Sequence, residues 1–78
     1  MDAWLTSARD AFARSSGLAA HDLTVDEQTA ATILELARIA AHESEARTNA
    51  PLLSYLAGLA VGQGARVDDL AAALRDLQ

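Results

Sequence analysis

Ala50-Pro51-Leu52-Leu53-Ser54-Tyr55-Leu56-Ala57-Gly58-Leu59-Ala60-Val61-Gly62-Gln63-Gly64 decides the fold, because it runs fifteen residues without a charged side chain. A helix that is apolar all round belongs inside a core or a membrane. Spanning a bilayer takes about 20 apolar residues, and this run is shorter and broken by Ser54, Gly58, Gly62, Gln63 and Gly64. It is therefore expected to be the central core helix of a soluble domain. Asn49 and Pro51 should open it, since a first-turn proline loses no helical hydrogen bond, and Gly62 and Gly64 should stop it.

On the N-terminal side, Thr24-Val25-Asp26-Glu27 has the form of a capping box, with Thr24 as N-cap. The helix that follows carries Ile33, Leu34, Leu36, Ala37, Ile39, Ala40 and Ala41. That arc is broader than one stripe, so this helix needs neighbours on two sides. Polar residues from Glu43 to Asn49 form the next turn. Further upstream, Trp4, Leu5, Ala8, Ala11 and Phe12 recur at spacings of three and four on one amphipathic face. Asp2 is the expected N-cap of that first helix, Arg14 suits its negative end, and Gly17 ends it.

On the C-terminal side, Val67 and Asp68 reopen the chain into a last helix with Leu70, Ala73, Leu74 and Leu77 on one face. Asp68 is its expected N-cap, and Asp69 and Arg75 agree with the helix dipole. No alternating strand pattern occurs in the sequence. The expectation is all-α: a compact four-helix bundle forming a single domain over residues 1–78.

Chains of 78 residues have little core relative to surface and lean on cross-links, metals, close packing or association. The absence of cysteine removes disulfides and thiolate metal sites. All six basic residues are arginine, and the net charge of −5 opposes nucleic-acid phosphates and anionic lipid surfaces. No N-terminal targeting pattern is legible, so a cytoplasmic location is expected.

Catalytic chemistry finds little purchase. His21 lies in a polar connector and His42 at a helix end, where the dipole alone accounts for an imidazole. Neither belongs to a nucleophile motif, and the apolar third helix supplies no carboxylate or imidazole to a bundle metal site. No catalytic residue, metal or cofactor is therefore expected. Ser54, Gly58 and Gly62 recur every four residues, a spacing that admits close helix approach, here onto Ala37, Ala40 and Ala41. Trp4 and Tyr55 read as core residues with a polar edge outward, or as interface anchors. Arg47, Thr48 and Asn49 precede the third helix, whose first amides could hold a carboxylate or phosphate. The candidate partner or anion contacts are thus Trp4, Arg38, His42, Arg47, Asn49 and Tyr55.

The order Trp4-Leu5, Leu36-Ala37-Arg38, Ala41-His42, a polar turn, then Ala50-Pro51-Leu52 running into Tyr55, Leu56, Gly58 and Gly62 resembles a small domain of unknown function from high-GC Gram-positive bacteria. That domain occurs alone or fused behind the nucleotidyltransferase that makes molybdenum cofactor guanine dinucleotide. Stand-alone members lie near genes for formate dehydrogenase and its sulfurtransferase. The resemblance carries no catalytic residue across. It implies a non-enzymatic adaptor, small subunit or helper that contacts a larger protein, either a molybdoenzyme or a cofactor-maturation enzyme. Two other functions fit the residues: a homodimer that completes the burial of the third helix, and a domain binding a nucleotide or cofactor phosphate at Arg47 and Asn49.

Overall fold

The computed structural model describes residues 1–77. The chain folds as the expected all-α bundle, and the described residues include no strand. The helices are α1 (Ala3–Ser16), α2 (Glu27–Glu43), α3 (Asn49–Gly62) and α4 (Val67–Arg75), with a 3-10 turn at Ala20–Asp22 between the first two.

Local chemistry sets most of these boundaries. The Asp2 carboxylate accepts the Leu5 N–H at 2.8 Å, which satisfies one of the amides that a helix start leaves without a partner. Gly17 ends α1 in the left-handed region at φ 72, its N–H donating to the Ala13 carbonyl. The start of α2 corrects the capping-box expectation. Asp26, not Thr24, is the N-cap: its carboxylate accepts the Thr29 N–H at 2.7 Å, while the Thr24 hydroxyl donates to the His21 carbonyl. A carboxylate two residues downstream is the stronger acceptor for a helix amide, and it displaces the hydroxyl. At α4 the N-cap is Arg66, not Asp68; Asp68 and Asp69 both fall in the first turn, where their charge suits the dipole.

Packing centres on α2. Leu36, at 2% exposure, Ile39 and Ala40 are buried there, and α3 and α4 both lie against this helix while scarcely touching one another. The expected need for neighbours on two sides is met in this way. Leu36 joins Ala57 of α3 and Ala71 of α4 at the centre, with Ile33, Leu53, Val67, Leu70 and Leu74 packed around them. The two alanines have little side chain to hold the backbones apart.

The hub is therefore α2, which corrects the expectation that the uncharged run forms the central helix. Along α3 only Ala57 is buried, with Ala50, Leu53, Ser54 and Ala60 half-buried on the same face. The stripe of small residues does not make the close approach expected of it. A Cβ at Gly58 or Gly62 would meet nothing within 4 Å; the face that meets α2 is the one carrying Ala57.

Across the bundle, Arg75 holds Glu35 in a two-pronged ion pair, Nε to Oε1 at 2.7 Å and Nη2 to Oε2 at 2.8 Å. It ties the last turn of α4 to the middle of α2. The Arg75 hydrogen bond holds the Glu35 carboxyl below its ordinary value of 4.5, and the backbone N–H of Thr29, helped by its hydroxyl, does the same for Asp26 relative to 3.8.

In contrast, α1 stands off. None of its Cα atoms lies within 8 Å of a Cα of α2, α3 or α4, and its backbone approaches only the 3-10 turn. The Cα radius of gyration is 13.4 Å, against about 11.5 Å for a close-packed chain of this length.

Two predictions follow from this architecture. Leu36→Ala removes the large side chain at the junction of the three helices and should cost about 2–5 kcal/mol, read as a lower urea midpoint by circular dichroism. The depressed carboxyls of Glu35 and Asp26 contribute stability that is fully present above their unfolded values of 4.5 and 3.8. That contribution is lost as pH falls through the lower folded values, because the unfolded chain then binds more protons. Thermal stability should thus drop on acidification below pH 4.5. Glu35→Gln and Asp26→Asn should each remove up to about one proton from the uptake on acid unfolding, and so flatten the drop.

Candidate functional site

The six residues singled out from sequence do not converge. Trp4 sits on α1, away from the other helices. Arg38 and His42, four residues apart, share an exposed face of α2. Arg47 lies exposed in the turn before α3, and Tyr55 projects from the middle of α3. Of the six, Asn49 alone reaches a groove.

Trp4 and Tyr55 are not core residues: they are 75% and 69% exposed. The reason is positional. Trp4 lies on the outward side of a helix whose Cα atoms all stay more than 8 Å from those of α2, α3 and α4, and Tyr55 lies on α3 well away from the Ala57 face.

The turn carrying Arg47 and Asn49 is organised by a residue that sequence reasoning passed over. The Ser44 hydroxyl donates to the Ala40 carbonyl and accepts from Asn49 Nδ2 at 3.0 Å, and Glu45 takes up a left-handed φ of 59. At the start of α3 the Asn49 and Ala50 amides already donate to the Ala46 and Arg47 carbonyls, and Pro51 has no amide. The first three positions of α3 therefore hold no free N–H for an anion. Among the described residues no group of three or more His, Cys, Asp or Glu is placed to hold a metal ion, and no helix is long and apolar enough to cross a membrane. His21 is exposed in the 3-10 turn, its Nε2 3.4 Å from Asp22 Oδ1.

What the fold does build is an apolar trough between α3 and α4, floored by α2. Two hollows of about 390 and 430 Å³ share Leu53, Leu56, Leu74 and Leu77. Leu36, Ile39 and Ala40 form the floor, and Leu70 and Ala73 continue the α4 wall. Polar side chains enter only at one mouth, from Glu43, Ser44 and Asn49. The trough lies where α3 and α4, each packed on α2, make little contact with one another. Its signal in the sequence was the three-and-four spacing of Leu70, Leu74 and Leu77, which spacing alone cannot tell from a closed core. Beside it, the outer side of α3 presents Tyr55, Gly58, Leu59 and Gly62, all exposed.

The fold and the trough together define a small all-α helical domain. The chain is a member of the family of domains of unknown function DUF6457, whose model matches residues 1–78. No curated protein and no solved structure matches it.

The open outer side of α3 yields a direct test. Gly58→Ala places a methyl where nothing lies within 4 Å, so the gain in helix propensity should raise stability by about 0.5–1 kcal/mol. A thermal melt checks this, and a loss would mean that a close neighbour covers Gly58.

Proposed function

We propose that this chain is a non-catalytic interaction module that docks on a larger protein through its exposed apolar helix faces. One observation carries the reading. The buried apolar set is Leu36 and Ile39 with four alanines, while Trp4, Phe12, Leu52, Tyr55 and Leu56 stand in solvent. Contiguous exposed apolar surface marks interaction sites, and aromatic residues are the side chains most used as anchors there. In this reading Tyr55 and Leu59 on the outer side of α3 form the centre of the contact.

The larger partner is a molybdenum-cofactor enzyme such as formate dehydrogenase, or a protein of its maturation machinery. This rests on the resemblance of the Trp4-Leu5, Ala41-His42 and Ala50-Pro51-Leu52 segments to the domain found alone or fused behind the guanylyltransferase of that cofactor. Docking of this kind requires no bound cofactor in the module. The phosphate-binding alternative has little support, since the amides at the start of α3 are already used.

The test is capture by the tagged full-length chain in its native host. Stoichiometric retention of a molybdoenzyme or cofactor-maturation protein is expected. Tyr55→Ala should weaken it by roughly 30-fold, the scale of an interface hot spot, with helical content unchanged by circular dichroism. Retention of neither class of protein by the wild-type chain would overturn the reading.

A further inference from the structure

The chain carries two apolar features that each lack a partner. One is the trough between α3 and α4, open along its length and lined by Leu53, Leu56, Leu70, Leu74 and Leu77. The other is α1, whose exposed side is its apolar side. Trp4 and Phe12 are 75% and 69% exposed, and Leu5 is also out. The side of α1 that is covered carries Ala13, with Thr6, Arg9 and Asp10 half-buried beside it. An amphipathic helix that turns its apolar stripe to water is short of a partner. We infer that the partner is a second copy of this chain: α1 of each copy lies in the α3/α4 trough of the other, and the exchange closes a two-fold dimer of two complete four-helix bundles.

Dimensions and area support this occupant. Helices α1 and α3 each have 14 residues, about 21 Å at 1.5 Å per residue, so the inserted helix runs the length of the α3 wall and extends past the nine-residue α4. The accessible surface is 5860 Å², whereas a compact chain of 8.2 kDa exposes about 4,500 Å². The excess, about 1,300 Å² per copy, exceeds the roughly 800 Å² per partner of a standard stable interface. Electrostatics permit the insertion. Asp2 and Asp10 balance Arg9 and Arg14 in and around α1, so the net charge of −5 lies wholly in the rest of the chain. The segment presented to the acidic body of the second copy is the neutral one. Gly17 and the 3-10 turn hold α1 away from the trough of its own chain, the arrangement that favours exchange of an element between copies.

This inference goes beyond the larger-partner reading and does not depend on it. The test is sedimentation of the full-length chain over a concentration series, followed also by the emission of Trp4, the sole tryptophan. The expected result is a mass of twice 8.2 kDa, with Trp4 emission shifting to the blue as the dimer forms. Phe12→Glu on α1 and Leu56→Glu on the trough wall should each weaken the dimer by roughly 30-fold or more. Both positions are exposed in the monomer, so helical content should hold. Mixing the two variants should restore association in part, because a mixed pair retains one intact α1 and one intact trough that meet. A monomer at every concentration would overturn the inference, as would a dimer indifferent to Phe12→Glu. A monomer that still retains a larger protein through Tyr55 would remove this inference alone. A dimer as described that retains no larger protein would instead remove the docking reading.

Discussion

The structure depends on the width of the apolar arc on α2. An arc that wraps past one face cannot be covered by a single helix, so α3 and α4 take one flank each and Leu36 is enclosed where the three meet. Because both flanks approach through alanine, at Ala57 and Ala71, the centre is tight but thin. Small side chains bring helices close and bury little area each. The Glu35–Arg75 pair then fixes the angle of α4 at the rim, where solvent screens it and geometry matters more than energy.

A thin centre has a consequence for everything outside it. With α2 satisfied, nothing in the three-helix core demands that α1 pack there, and nothing draws α3 and α4 together beyond their shared contact with α2. The apolar side chains on the outer side of α3 stay in water, and so do Leu77 beyond the end of α4 and the stripe on α1. In a chain of 78 residues the hydrophobic return on folding alone is small, and association is one of the few reinforcements still open to a chain without cysteine.

Much of the fold was legible because its signals are local. Asp2, Gly17 and Pro51 each act within one turn of where they stand, and the helices begin or end beside them. Thr24 failed as a cap for an equally local reason, since Asp26 offered a better acceptor two residues on. The misplacement of α3 has a different origin. Lack of charge over residues 50–64 states what the helix could bury, not what is there to bury it, and periodicity carries no information about the far partner. The Glu35–Arg75 pair spans 40 residues and left no trace in spacing. The six candidate contacts were scattered for the same reason: their types were informative, but the angles between helices decide which side chains meet.

The chemistry of the trough bears on what it can recognise. A small-molecule site combines apolar walls with a few polar groups converging on the ligand from several sides. Here the polar groups stand at one mouth, from Glu43, Ser44 and Asn49, and the remaining length is leucine, isoleucine and alanine. Such a surface cannot fix the orientation of a nucleotide or an anion along its length, because it has nothing there to which they could hydrogen-bond. It can select a rod of apolar side chains repeating at three and four residues, which is how one helix recognises another in a groove. The surface is thus chemically matched to helices, and α1 carries an uncovered apolar stripe of that kind, with Trp4, Leu5 and Phe12 exposed.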